Sequence, residues 1–149
     1  MSHVICTTAL IALIFLMQTS FMYVVNNMRT EMIERELKEI TDYVSDTLAN
    51  LYFLANSTDS SNVTLQKTLS LPLDVGGSTF IVNITSNEDF AEAIYACVKG
   101  NSRISTSSWI SPGLKVGNQS QTIESGGKTV FAGCRCDVNF NVYVWIAYG

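Results

Sequence analysis

Between Val4 and Val25 the chain is apolar at almost every position, relieved only by Thr7, Thr8, Gln18, Thr19 and Ser20. Neither glycine nor proline occurs before Pro72, so the two strongest helix breakers are missing from the first 71 residues. After Val25 the pattern changes without a break. Ile33, Leu37, Ile40, Val44, Leu48, Leu51 and Ala55 recur at spacings of four and three, a heptad-like stripe on one helical face. Glu31, Glu34, Arg35, Glu36, Lys38, Glu39, Asp42 and Asp46 occupy the other faces, with Glu34–Lys38 and Glu31–Arg35 as favourable i,i+4 pairs. The spacing predicts one helix over residues 1–55, apolar over 4–25 and amphipathic over 26–55, roughly 75 Å long at about 1.5 Å per residue from Val4. A hydrocarbon core is about 30 Å thick, so more than half of such a helix stands outside a bilayer. Residues 56–61, Asn-Ser-Thr-Asp-Ser-Ser, read as the helix end and a linker.

Beyond the linker, over residues 62–149, the hydrophobic period falls to two. Val63, Leu65, Leu69 and Leu71 alternate with polar residues as a half-buried strand, with Lys67 on the apolar parity near an edge. Pro72 stops it and Gly76-Gly77 turns the chain. Phe80, Val82 and Ile84 point inward, with Asn83 on the solvent parity. "IYACVKGNSRISTS" reads as a hairpin about Lys99-Gly100-Asn101, a helix over Glu88–Val98 being the weaker alternative. Residues 111–127, rich in Gly, Ser, Asn and Gln, read as loop. Ala132, Cys134, Cys136, Val138, Phe140, Val142, Val144 and Ile146 share one parity, a run long enough to predict a break near 137–141. The whole predicts an α+β chain: a long N-terminal helix followed by a small antiparallel β-sandwich, immunoglobulin-like, of roughly six or seven strands.

Composition narrows the function. A net charge of -4 argues against nucleic acid, since nothing basic is available to neutralise phosphates. The first basic residue, Arg29, follows the apolar run, and no small-x-small site closes it, so the segment reads as retained rather than as a cleaved signal. The missing basic start agrees with Met1 being a processed N-terminus. The one histidine, His3, reads as a polar cap at the helix start. Glu88 and Asp89 fall in a turn, and "DVGGS" has neither the lysine nor the helix of a phosphate loop. No catalytic constellation or cofactor site is legible.

Cys6 lies in the apolar segment, whereas Cys97, Cys134 and Cys136 lie in the β region. Positions 134 and 136 point to one face of a strand, and a structural disulfide between one of them and Cys97 is expected, without a choice of which. A three-thiolate metal site lacks a fourth ligand. Asn56, Asn62, Asn83 and Asn118 each open an Asn-x-Ser/Thr sequon, all beyond the apolar run, which predicts N-linked glycans on an extracellular face.

An apolar helix passing directly into an amphipathic one, then a small β domain, resembles the type IV pilin superfamily. Its archaeal branch fits best, the adhesion-type pilins and related archaellins. The stretch "TLQKTLSLPLDVGGSTFIVNIT" is similar to the strand, Leu-Pro, Gly-turn, strand pattern of that branch. Bacterial type IV pilins carry Glu at the fifth mature position, where this chain has Ile5. The resemblance implies a filament of identical subunits, membrane-inserted before assembly and exposed at the cell surface, with an adhesion target that it does not name. Val4, Ile5, Leu10, Ile11, Leu13, Ile14, Phe15, Leu16, Phe21, Met22 and Val24 would then form the filament core. The stripe from Ile33 to Leu51 would pack against the β domain or a neighbouring helix. A single-pass anchored β domain acting as a binding module shares most of these features.

Overall fold

A computed structural model describes residues 2–57, 62–117 and 121–149. The order is a helix, α1 (Ser2–Ser57), then eight strands: β1 (Thr64–Leu69), β2 (Phe80–Asn87), β3 (Phe90–Val98), β4 (Asn101–Trp109), β5 (Lys115–Val116), β6 (Thr122–Glu124), β7 (Val130–Cys136) and β8 (Val142–Tyr148). Two compact units divide the chain, Met1–Met32 and Ile33–Gly149. The second begins inside α1, because the stripe from Ile33 onward is buried with the strands. Asn56 and Ser57, expected in the linker, remain helical; residues 58–61 lie outside the described residues.

The expected α+β class holds, one long helix followed by a mostly antiparallel sheet, while the immunoglobulin-like arrangement is not confirmed. The strands join in one hydrogen-bonded sheet of order β1-β7-β8-β5-β3-β2-β6, with β4 also on β3. All pairings are antiparallel except β5–β8. The layer that covers the sheet's apolar face is the second half of α1. Leu37, Val44 and Leu48 have no solvent exposure, and they share one core with Phe80, Val82, Ile94, Ala96, Val144 and Ile146. A half-buried sheet needs one apolar cover, and the helix supplies it. The path bends far enough for Tyr148 on β8 to reach β6, where its hydroxyl donates to Glu124 O at 2.9 Å.

Turn chemistry sets the register. Gly76 (φ 57) and Gly77 (φ 78) lie between the bridged Val75 and Ser78, the double left-handed conformation of a tight hairpin. A side chain at Gly76 would also meet Ile33, whose Cγ1 lies 2.7 Å from the position of its Cβ. The β3–β4 hairpin turns at Lys99-Gly100 as expected, and Glu88–Asp89 is the β2–β3 turn, so the helical alternative is discarded. The break between β7 and β8 falls at residues 137–141, as predicted. Val138 and Phe140 leave the core parity there and are exposed. Two short strands, β5 and β6, emerge from the segment read as loop.

Candidate assembly surface

The first half of α1 carries a long run of exposed large hydrophobic side chains among the described residues. From Val4, 70% exposed, to Val25, 44% exposed, its large hydrophobic side chains are uncovered among the described residues. Every expected core residue of this half belongs to that surface: Val4, Ile5, Leu10, Ile11, Leu13, Ile14, Phe15, Leu16, Phe21, Met22 and Val24. The helix is long and apolar enough to cross a membrane, so it fits membrane insertion. Each such side chain gains about 1.5–3 kcal/mol on full burial, so water is a poor solvent for the row. The threonines are adapted to an apolar setting. Thr7 donates to Val4 O and Thr19 to Phe15 O, each at 3.0 Å, and Thr8 also donates to Val4 O. The side chains of Gln18 and Ser20 make no hydrogen bond among the described residues. The side chain of His3 lies outside the described part.

In the second half of α1 every stripe residue is buried, including Ile33, Ile40, Leu51 and Ala55. A polar seam that the periodicity did not disclose fastens it to β4. The Lys38 ammonium donates to Ser107 O at 2.9 Å and to Ser108 Oγ at 2.8 Å, and it pairs with Asp42 at 2.9 Å rather than with Glu34. The expected Glu31–Arg35 pair does not form either. Ser108 donates to the Asp42 carboxylate and lies 2.8 Å from the Thr41 hydroxyl, which donates to Lys38 O at 2.9 Å. Ser45 donates to Trp109 O at 2.6 Å. The Ser108 hydrogen bond, and then that from Lys38, hold the Asp42 carboxyl below its ordinary range. The i,i+4 spacing of Lys38 and Asp42 was the one sequence signal for this seam. Its partners on β4, some 66 to 70 residues away along the chain, carried none.

The expected disulfide is corrected: all four thiols are free. Cys134 and Cys136 face the core from β7, whereas Cys97 alternates with the buried Ala96 and Val98 and so faces away from it. Side chains on opposite faces of a sheet cannot reach one another. Cys134 instead donates to Leu51 O at 3.3 Å, and burial pushes its thiol up to about 11. No group of three His, Cys, Asp or Glu side chains that could hold a metal occurs among the described residues.

The sequons differ in setting. Asn56 lies in the last turn of α1, and Asn118 lies outside the described residues. Asn83, half-buried on β2, accepts a hydrogen bond from Thr122 at 3.1 Å. Asn62 is exposed before β1, with φ 70, and its Oδ1 accepts from Arg135 at 3.0 Å.

On the sheet face turned away from α1 lies a cavity of about 480 Å³, lined by Thr64, Gln66, Gly117, Arg135, Asp137, Tyr143 and Trp145. Registers explain it. Thr64, Arg135 and Tyr143 form one cross-strand row, and Gln66, Gly133 and Trp145 the next. The bare Gly133 lets the Trp145 indole lie over β7, since a Cβ there would come within 2.4 Å of it.

No family model matches the chain, and no curated protein or solved structure matches it either.

Proposed function

We propose that this chain is a structural subunit of an extracellular, archaeal type IV pilus-like filament that serves adhesion. One observation carries the reading. The chain buries the apolar stripe of one half of α1 completely, yet the large hydrophobic side chains of the more apolar half are exposed among the described residues. Such a surface needs lipid before assembly and other helices after it. Gln18 supports the second solvent: an amide side chain with no partner among the described residues is costly in lipid but can hydrogen-bond across packed helices. A helix at one end of the sequence and a β domain at the other suit head-to-tail contacts, which propagate as open helical filaments when the rotation does not close. The partners are therefore identical subunits, with the membrane as the reservoir.

The alternative is a single-pass membrane-anchored β domain acting as a binding module, favoured by the cavity on the outer sheet face. A swimming-filament subunit of the archaellin kind would share the helix. Negative-stain electron microscopy of material sheared from the cell surface, with intact-mass analysis of the same fraction, decides between them. Uniform thin filaments of this chain are expected. Recovery only from detergent-solubilised membranes, as a monomer or small oligomer, would overturn the filament and leave the anchored module.

A further inference from the structure

The cavity on the outer face of β1, β7 and β8 and the sequon at Asn62 share their residues. Asn62 opens the sequon and Thr64, its third residue, lines the cavity wall. Arg135, another wall residue, donates to Asn62 Oδ1 at 3.0 Å. A guanidinium only donates, so the amide oxygen is the atom held, and Nδ2 is left without a partner among the described residues. Asn62 sits in the left-handed region (φ 70) on exposed backbone just before an edge strand, where an enzyme can approach. Asn83 is placed otherwise: it is half-buried on a strand paired on both sides, by β3 and β6, and its amide oxygen is engaged by Thr122.

The cavity's chemistry suits a sugar. A pyranose presents hydroxyl groups around its edge and C–H groups on its faces. Arg135, Gln66 and Asp137 offer donors and acceptors to the first, and the Tyr143 ring offers an apolar surface to the second. The Trp145 indole N–H, a donor only, makes no hydrogen bond among the described residues. A volume of about 480 Å³ lies within the usual span for small-molecule sites, about 300–1,000 Å³.

We propose that Asn62 carries an N-linked glycan and that this cavity seats its innermost sugars. The inference rests on the extracellular reading above. In the modification, Asn62 Nδ2 attacks the anomeric carbon of a phosphate-activated glycosyl donor supplied by a transferase. A C–N bond forms, the C–O bond to phosphate breaks, the phosphate leaves with the electron pair, and Nδ2 gives up one proton to a base of the transferase. Seated sugars would cover the exposed Gln66 and Arg135 and the half-buried Tyr143, and tie the start of β1 to β7.

Glycopeptide mass spectrometry of the chain taken from its own cells tests the site. Asn62 is expected to be occupied and Asn83 bare. Occupancy at other sequons with Asn62 bare would overturn this proposal and leave the extracellular reading standing. Bare asparagine at every sequon would count against both. The seat is tested separately by hydrogen exchange in the glycosylated chain, since Trp145 is only 4% exposed without any sugar. Enzymatic removal of the glycan is expected to quicken exchange at the start of β1, with Asn83→Gln as the control that does not. Unchanged exchange there after removal of the glycan would overturn the seat.

Discussion

The two halves of α1 are chemically distinct solutions to one problem, and they end in opposite states. Residues 4–25 are apolar on all faces and stay uncovered, whereas the stripe of residues 33–55 is narrower and wholly buried. Greater hydrophobicity did not bring burial. A sheet with one apolar face can cover only one helical stripe, about three or four residues in every two turns. A helix that is apolar all round needs cover on every side, which a single sheet cannot give. Periodicity therefore marks where the chain folds on itself, and loss of periodicity marks where it needs something else.

Substitutions that cross this divide test it most sharply. Leu48→Ala, in the buried half, is expected to lower the unfolding free energy by about 2–5 kcal/mol, read by denaturant titration. Leu16→Ala, in the open half, should leave that titration unchanged. A reversed ranking would mean that the open half is covered within the monomer. Replacing Ile14 with Lys should impair insertion and assembly by about 2.5–3.5 kcal/mol, measured as the yield of filaments or of membrane-bound chain, with the melting of the β unit unaffected.

A smaller effect is expected at Gly133→Ala, where the new methyl collides with Trp145. The loss should be about 1–3 kcal/mol, with a change in tryptophan emission that Gly100→Ala, in an open turn, does not produce. Smaller again is the seam between α1 and β4. Ser108→Ala should cost about 1–2 kcal/mol by removing the hydroxyl that bonds Asp42. Because that carboxyl titrates below its ordinary value in the fold, its contribution is present above the unfolded pKa, about 3.9. It is lost as pH falls through the lower folded value. Asp42→Asn should flatten the acid limb of the stability–pH curve, and an unchanged limb would remove Asp42 from the seam's energetics. The thiols give the last contrast: Cys134 should resist alkylation at pH 8 until the chain unfolds, while the half-exposed Cys97 reacts in the folded β unit.

Much of this architecture was legible in the order of residues, because its causes are local. The absence of Gly and Pro through residue 71, the stripe at three and four, Gly76-Gly77, Lys99-Gly100 and the break after Cys136 each act within a few residues. The linker boundary at 56 was set too early because a polar run can still complete a helical turn. The short strands β5 and β6 escaped notice for another reason. Their pairings rest on backbone hydrogen bonds to distant segments, such as Ile84 N to Gln121 O at 2.9 Å, and two or three residues are too few to show alternation. The candidate assembly surface was read from composition, whereas the cavity was not.

By itself, then, the sequence determined which residues are helical, which side of each strand is apolar, and that one stretch is too hydrophobic for water. Tertiary structure alone decided which segments become neighbours. Alternation tells a side chain which face to take but not which strand lies beside it, so one sheet under a helix and two stacked sheets satisfy the same pattern. For that reason the α+β class was legible, while the order of the strands in their one hydrogen-bonded sheet was not. Cys97 and the pair at 134 and 136, which the sequence left free to bridge, were placed on opposite faces. Thr64, Arg135, Tyr143 and Trp145, scattered along the chain, were brought to one cavity.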